Sequence, residues 1–465
     1  MKNKIFAILI GLTVFFTSCE DFLNEQPKGS FIPTEIEHFE SLMLSTYTMQ
    51  GRFSAGLVLM SDQVTGDAAT LAANDANNIR RYLLTDFTDE SLTESNEFWE
   101  WGYARIFVYN SIIEEADNKT IAGTEDELNT LVALARAARA FDYFDLVNAF
   151  GKSYNASTSS TDLSVPLVVL ADVNAQIPDR ATVKAVYDYM VQELTESLPY
   201  LPETRYYKTL MPGKDMAYAL LSRIYLFMGE YDKAKENADL ALGINSNIID
   251  INNPFPTVIE SQEVIYGKWR HNFLSRISYG RYGVGFAVAP DFASTFDADD
   301  RRLAVLTSGN TDGDGNLYLD PSESEFNIGL SVPELYLNRS ECLARTAGSD
   351  VQDIIDDMNT IRSKRYVTGT YVDLTTTDIP DLTSALAFVL AERKRELAFR
   401  DIRLFDMRRL MVTGDYTQTL TRSFLGKDYS IAPNANNWYM NIPLKVMDFN
   451  PSWEQSPRDG VSLIN

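Results

Sequence analysis

Apolar residues recur at helical spacing along much of the chain from Thr34 onward. In the clearest run, steps of three and four residues separate five apolar side chains: Leu131, Leu134, Ala138, Phe141 and Phe144. Such steps place side chains on one face of an α-helix. Gly151 follows this run, and the pattern therefore predicts an amphipathic helix that ends there.

A tetratricopeptide-like pair of helices is predicted for residues 216–242. The pattern combines large residues, one glycine and three alanines: Leu221, Tyr225, Gly229, Tyr231, Ala234, Ala238 and Ala241. The large side chains would fill the cleft, the glycine would allow a tight turn, and the alanines would let the second helix approach. One such unit cannot bury its own face, so further pairs must stack on it. The candidates are the helix at 131–151 and the segment 335–365.

The residue pattern changes between residues 250 and 332, where helical periodicity is lost. Prolines and glycines interrupt its short apolar runs: Pro254, Pro256, Gly280, Gly283 and Gly285. The pattern predicts loop with some strand, inserted between helical units. A stretch this long without regular helix is more often functional than idle. One long helix is predicted from 382 to about 411, and mainly irregular structure from Trp438 to the end.

The N-terminus has the layout of a secretory signal. Two lysines precede about twelve mainly apolar residues at 5–16, a run well short of the ~20 residues that span a bilayer. Ordinary signal peptidase needs a small residue three positions before the cleavage site, and Phe16 is bulky. The sequence Phe16-Thr17-Ser18-Cys19 fits a lipoprotein site instead. It favours lipidation of Cys19 over simple secretion, with Cys19 as the first residue of the mature protein.

Charge and composition exclude some classes of partner. The formal net charge of −24 argues against DNA or RNA, whose phosphate backbone needs a basic face. It also argues against charge-driven binding to anionic lipid, so the lipid on Cys19 must supply the anchor. The second of the two cysteines, Cys342, then has no partner and is interpreted as a small buried apolar residue. Tyrosine and tryptophan are abundant, and their ring faces can stack on the C–H face of a pyranose.

Three ordered motifs carry a resemblance to a known family. The first is ARAARAFDYFDLVNAFG at 135–151, followed by DLSVPLVV at 162–169. The second is AERKRELAFRDIRLFDMRRL at 391–410, and the third is IPLKVMDFNPSWEQSP at 442–457. Together with the lipidated cysteine and the Glu-Asp-Phe-Leu that follows it, the chain resembles the SusD/RagB family of nutrient-uptake lipoproteins. It departs from the family at Arg400-Asp401-Ile402 and at Gln455-Ser456-Pro457, which are framework positions.

The resemblance implies a mainly α fold, a superhelical scaffold of TPR-like helical pairs with an irregular insert of loops and short strands. It implies a lipoprotein on the outer face of the outer membrane, with Glu20 and Asp21 similar to the family's surface-export signal. It also implies capture of glycans for a partner TonB-dependent transporter of the SusC type. The predicted division is a signal peptide (1–18), a lipidated tether (19–33), an N-terminal helical region (34–249), a ligand-binding insert (250–332) and a C-terminal region (333–465).

Candidate ligand-binding residues are aromatic and hydrogen-bonding side chains in or near the insert. Trp269, Tyr279 and Tyr282 would stack on a sugar, and His271 and either Arg276 or Arg281 would form hydrogen bonds with its hydroxyl groups. Trp101 and Asp67, with Asp62 beside it, lie in earlier segments that could face the same surface. Because Trp99 and Trp101 precede a run with helical spacing, at least one of them is expected to belong to the core. Trp438 is a further candidate, and Trp453 is expected to be structural.

The segment 312–323 (DGDGNLYLDPSE) has oxygen ligands at the spacing of a calcium loop. The predicted side-chain ligands are Asp312, Asp314, Asn316, Asp320 and Glu323, with the carbonyl of Tyr318. Leu317 replaces the usual glycine and no clear helix flanks the loop. An acidic turn without metal therefore remains the alternative, and no other cofactor is expected.

Nucleic-acid binding and catalysis both have little support in the sequence. Residues 391–410 hold seven basic and four acidic side chains, and an ion-pair network that includes Glu392–Arg395 and Glu396–Arg400 is favoured over nucleic-acid binding. With only two histidines, triads and histidine–metal sites have little material. A glycosidase needs only two carboxylates, but the family resemblance implies binding without hydrolysis. Peptide uptake and a TPR scaffold that binds proteins stay open.

Overall fold

The computed structural model describes most of the chain beyond the tether. The described residues are 33–45, 49–52, 56–66, 76–85, 97–203, 209–254, 256–270, 286–319, 327–424, 426–459 and 462–464. The predicted signal peptide, Cys19 and nearly all of the tether lie outside them.

Helices dominate the described residues. The N-terminal half contains α1 (Ile36–Met43), α2 (Gly56–Leu59), α3 (Ala76–Leu83), α4 (Glu97–Asp117), α5 (Glu125–Phe150), α6 (Val183–Ser197), α7 (Lys214–Met228) and α8 (Tyr231–Ile244). The rest contains α9 (Pro290–Ala293), α10 (Arg301–Thr307), α11 (Val332–Arg345), α12 (Val351–Arg362), α13 (Leu382–Glu396), α14 (Arg403–Thr413) and α15 (Leu444–Phe449).

The strands are short and form small separate sheets. They are β1 (Gly51–Arg52), β2 (Val64–Thr65), β3 (Leu163–Pro166), β4 (Arg180–Thr182), β5 (Val264–Tyr266), β6 (Trp269–Arg270), β7 (Ala287–Val288), β8 (Leu330–Ser331), β9 (Leu420–Phe424), β10 (Lys427–Ile431) and β11 (Ser462–Ile464). Strands β9, β10 and β11 form an antiparallel sheet, and the others pair as β1–β6, β2–β7, β3–β4 and β5–β8. Only β1–β6 is parallel among these described pairs.

The helix α5 lies at the centre of the scaffold. Its N-terminus has a capping box between Thr124 and Glu127, and its C-terminus is capped by Gly151, as predicted. Nearly every residue from Leu131 onward is buried, charged ones included. The expectation of a single apolar stripe is therefore wrong, because α1, α4, α6 and α7 all pack against this helix.

The predicted tetratricopeptide-like pair is confirmed in α7 and α8. Gly229 separates the two helices with φ of +77°, a left-handed conformation that glycine adopts without a steric cost. The small side chains of Ala234, Ala238 and Ala241 are fully buried. Cys342 of α11 is buried beside Ala234, as the sequence suggested, and burial raises the pKa of its thiol.

Helical pairs stack in series around this unit. The helices α4, α5, α6 and α7 pack successively, α8 packs against α11, and α11 packs against both α12 and α13. The α11–α12 pair fulfils the prediction for residues 335–365, with its turn at Gly348, whose φ is +86°. The mainly helical TPR-like scaffold is thus confirmed. Within the described residues, no helix is both long and apolar enough to cross a bilayer.

The long helix predicted from 382 to about 411 is wrong. The chain breaks after Glu396, where Phe399 and Asp401 adopt φ of +58° and +62°, and α14 starts only at Arg403. Phe399 is fully buried in a second apolar cluster, with its ring 5.7 Å from that of Phe292. Burying this side chain provides the stabilisation that offsets an unfavourable backbone conformation.

The basic segment 391–410 forms buried ion pairs, which supports the favoured interpretation. Glu392 accepts hydrogen bonds from Arg302 at 2.6 Å, Arg362 at 2.7 Å and Arg395 at 2.7 Å. Burial alone would raise the pKa of Glu392, but the surrounding guanidinium groups, Arg302 foremost, hold it well below its ordinary value.

The predicted pairing of Glu396 with Arg400 is wrong. The helix ends at Glu396, so Arg400 does not lie one helical turn away, and it donates to Ser331 at 3.2 Å. Glu396 instead accepts from Arg365 at 2.8 Å and from Arg302 at 2.9 Å. The network therefore joins α13 to the segments around α10 and α12.

Candidate functional site

The candidate site is built on the parallel β1–β6 ladder. Trp269 in β6 is the register partner of Gly51 in β1, and its side chain is half-buried. The preceding residue, Lys268, is almost fully buried at 1 % exposure. Because neighbouring side chains of an extended chain point in opposite directions, the Trp269 side chain is directed away from the core that holds Lys268.

Lys268 stabilises the ladder from its buried side. Its Nζ donates to the carbonyl of Met49 at 2.6 Å, just before β1, and lies 4.7 Å from the centre of the Tyr266 ring. Its own backbone N–H donates to the Asn327 side chain at 3.2 Å. An ammonium group in this setting gains from the carbonyl dipole and the ring face. The lysine thus ties β1 to β6 through the side of the ladder opposite Trp269.

Arg105 connects helix α4 to the same ladder. Its guanidinium lies 2.9 Å (Nε) and 2.7 Å (Nη2) from Oδ1 of Asp142, and Nη1 donates to the carbonyl of Gly51 at 3.4 Å. Burial would lower the pKa of Arg105, but the Asp142 carboxylate more than offsets this and raises it. Gly51, the residue of β1 that is paired with Trp269, is therefore held by a permanently charged, buried group.

Trp101 lies one helical turn before Arg105 on α4 and is half-buried. Residues four apart share a face of a helix. The structure therefore brings the elements that carry Trp101 and Trp269 together through Arg105 and Gly51. Trp99 belongs to the core, as expected for one of the two, with its ring 4.9 Å from that of Phe150.

Several sequence candidates lie outside the described residues. These are Asp67, His271, Arg276, Tyr279, Arg281 and Tyr282, and they stay predictions. The backbone on either side of 271–285 is defined. The described part of the chain stops at the end of β6 and resumes just before β7. Strand β7 pairs with β2, whose last residue lies two positions before Asp67.

Three further candidates, Asp62, Trp438 and Trp453, have structural roles. The Asp62 carboxylate accepts from Arg403 at 2.8 Å and lies 3.0 Å from Lys394, so the expectation that it faces a ligand is wrong. Trp438 is 1 % exposed, which excludes it from a binding platform. Trp453 is half-buried and packs against the core, as expected.

The acidic turn at 312–318 is organised by its own hydrogen bonds. The Asp312 carboxylate accepts from Asn316 and from the Tyr318 hydroxyl, with distances of 2.9 and 2.8 Å. These bonds, with that from the Asn316 side chain foremost, lower the pKa of Asp312 to about 2. Among the residues that the structure describes, no three acidic, histidine or cysteine side chains converge as metal ligands. Asp320 and Glu323 lie outside that part of the chain, and calcium binding stays a prediction, to be tested by a Ca²⁺ titration of the D312N variant against the parent protein.

Sequence reasoning missed the residues beneath the ladder. Arg105 and Asp142 lie inside helices, where charged residues are ordinarily taken for the solvent face, and Lys268 lies among short strands. A usable signal was present for Lys268, which directly precedes the candidate Trp269 in the run YGKWR. An Arg four residues after a tryptophan, as in Trp101 and Arg105, was a weaker one.

Comparison with known proteins places the chain in a family. The pattern of SusD-like_3, described as starch-binding associating with outer membrane, matches residues 21–226. The SusD family pattern, SusD_RagB, matches residues 332–457, and the two matches together cover more than half of the chain. The chain belongs to the SusD/RagB family. Members of this family are surface-associated outer-membrane proteins that bind glycans as nutrients and are not enzymes.

Individual relatives agree with this membership. The SusD-like protein P2 of Formosa agariphila is 24% identical over 88% of this chain and 90% of its own length. A SusD superfamily protein of Bacteroides fragilis has a TM-score of 0.70 at 20% identity, covering 89% of this chain and 96% of its own. A SusD-like carbohydrate binding protein of Bacteroides vulgatus has a TM-score of 0.67 at 17% identity, covering 90% and 96%. These two similarities establish the SusD fold.

Proposed function

We propose that this protein is a cell-surface lipoprotein that captures an oligosaccharide or polysaccharide and delivers it to a SusC-like TonB-dependent transporter. Cys19 would carry the lipid anchor, and the ligand would lie against the Trp269 face of the β1–β6 ladder. The protein would bind the glycan without cleaving it. Family membership supports the class of function, and the ladder supports the position of the site.

The observation that carries the proposed site is the construction of the ladder. A stacking residue contributes most when it is held rigidly before the ligand arrives, because less conformational entropy is then lost on binding. Lys268 and Arg105 hold the two strands from the protein side, at Met49 and Gly51. Trp269 is half-buried at the paired position, so part of this residue is exposed, and its ring would stack on a pyranose.

The delivery step follows from the lipid anchor. A chain with a net charge of −24 gains little from an anionic membrane surface, so the acyl chains on Cys19 must keep it at the membrane. Fixed there, the protein would release its ligand beside the transporter at a high effective concentration.

Affinity electrophoresis tests the proposal. The soluble form that starts after Cys19 is run through native gels that contain members of a polysaccharide panel, with serum albumin as the non-binding standard. Retardation by at least one polysaccharide is expected, without release of reducing sugar during incubation. Release of reducing sugar by pure protein would support a surface glycosidase, and capture of peptides in the absence of any glycan binding would support peptide uptake.

A further inference from the structure

The connection between β3 and β4 displays apolar side chains to solvent. This connection spans residues 167–179, and four of its side chains are exposed by 43–82%: Val169, Leu170, Val173 and Ile177. Phe107 on α4 is 39% exposed. We refer to these five side chains as the apolar face. Surface loops usually direct polar side chains outward, and contiguous exposed apolar groups are typical of binding surfaces.

The backbone of this connection is fixed from beneath. Asn110 on α4 donates to the carbonyl groups of Val168 at 2.9 Å and Leu170 at 3.1 Å. The hydroxyl group of Tyr143 donates to the Val168 carbonyl at 2.9 Å and accepts from the Val168 N–H at 2.8 Å. Since Asn110 and Tyr143 are both buried, the chain is bound along one side and its apolar side chains are left on the other.

A second layer of contacts holds these supports in place. Arg139 donates to the Asn110 side chain at 2.6 Å and pairs with the buried Glu193 of α6. Asn110 therefore cannot turn away from the Val168 and Leu170 carbonyl groups without breaking a buried interaction. The display of the apolar face is preorganised, which lowers the entropic cost of docking a partner.

Phe107 extends the apolar face onto α4. It lies one helical turn before Asn110, on the side of the helix that contacts the connection. One turn after Asn110, the Glu114 carboxylate accepts from the N–H of Ala171 at 3.4 Å. Residues 168–171 of the connection therefore follow the row formed by Phe107, Asn110 and Glu114, so Phe107 extends the surface that Val169 and Leu170 begin.

Acidic groups border the apolar face. Glu114, Asp172 and Asp179 are exposed beside it, and residues 167–179 include no lysine or arginine. An anionic lipid surface would be repelled by this border. A second copy of the chain would place the same acidic border against itself in a two-fold interface. A protein with an apolar centre and a basic border satisfies both features.

We infer that the apolar face is the docking surface for a partner protein with an apolar patch and a basic rim, and that this partner is the transporter. The identity of the partner rests on the proposed function. The position and chemistry of the surface rest on the exposed side chains, their fixed backbone and the acidic border.

Photo-crosslinking from two equally exposed positions tests the inference. Val173 in the apolar face and Val372 on another loop are each 82% exposed, so they form a matched pair. A photoreactive phenylalanine analogue is placed at either position in the full-length lipidated chain, co-expressed with the TonB-dependent transporter encoded beside it. A transporter crosslink from position 173 and none from position 372 is expected. Equal crosslinking from both, a crosslink from 173 to a second copy or to lipid, or no crosslink from 173 would overturn the inference.

A charge substitution provides a quantitative second test. V173D should lower the amount of transporter that co-purifies with the chain by about tenfold, equivalent to about 1.4 kcal/mol, while V372D should leave it unchanged. Unchanged co-purification of V173D, or equal loss in the two variants, would contradict the inference. Both substitutions replace exposed loop side chains. Melting temperatures equal to that of the parent protein would confirm that both variants fold.

Glycan binding separates this inference from the proposed function. The soluble V173D protein should be retarded by polysaccharide as strongly as the parent protein, because the apolar face is distinct from the β1–β6 ladder. A transporter crosslink from 173 without any glycan binding would uphold the docking surface and reject the glycan ligand. Glycan binding without the crosslink would do the reverse.

Discussion

The Arg105 guanidinium and the Asp142 carboxylate form a buried ion pair, with Nη2 and Oδ1 2.7 Å apart. The pair lies between α4 and α5, and the same guanidinium reaches the carbonyl of Gly51 in β1. A charge at the centre of the scaffold is thus connected directly to the strand that positions Trp269.

Removing one partner of this pair should be strongly destabilising. D142N would leave the Arg105 charge buried without compensation, and the expected loss is about 3–5 kcal/mol in the free energy of unfolding. Urea denaturation of the soluble protein measures it. D188N is the control, because the Asp188–Lys184 pair is half exposed and its loss should have little effect. Equal changes in the two variants would show that the Arg105–Asp142 pair has no special role.

The stability of the protein should fall in acid partly through Asp62. Burial would raise the pKa of Asp62, but Arg403 and then Lys394 hold it well below its ordinary value. A carboxylate with a lowered pKa stabilises the fold fully above its unfolded pKa of about 4, and this contribution is lost as pH falls towards the folded pKa. D62N should therefore flatten the decline in melting temperature between about pH 5 and pH 2. An unchanged slope would contradict the assignment of Asp62 to this buried pair.

Two glycines of the tetratricopeptide-like pair should respond oppositely to alanine. Gly229 has a φ of +77°, so G229A should destabilise the protein by about 1–2 kcal/mol through backbone strain. Gly243 lies within α8 and an added Cβ would meet no atom within 4 Å, so G243A should stabilise it by about 0.5–1 kcal/mol. Thermal unfolding of both variants checks the signs. A stabilised G229A would contradict the left-handed turn.

The sequence predicted elements whose signals are local. Gly229, the buried alanines of α8 and the cap at Gly151 were all readable, because spacing and turn chemistry act within a few residues. The break after Glu396 was not readable. The left-handed conformation at Phe399 is stabilised by contacts with Phe292, a residue more than 100 positions earlier, and local pattern carries no trace of such contacts.

The candidate site shows the same limit. Aromatic residues such as Trp269 and Trp101 could be selected by type and position along the chain. Their connection through Arg105 and Gly51 joins residues more than 50 positions apart and depends on the tertiary fold. The role of Asp62 was misjudged for the same reason, since Arg403 lies 341 residues further along the chain.

The Trp269 ring is the central element of the proposed glycan platform, and its removal is the decisive test of the proposed site. Affinity electrophoresis compares W269A with W453A, which removes another half-buried tryptophan far along the chain. The lost stacking is expected to lower affinity by about tenfold, which corresponds to about 1.4 kcal/mol. We expect retardation by the bound polysaccharide to be lost in W269A and kept in W453A. Undiminished retardation of W269A would contradict the proposed site.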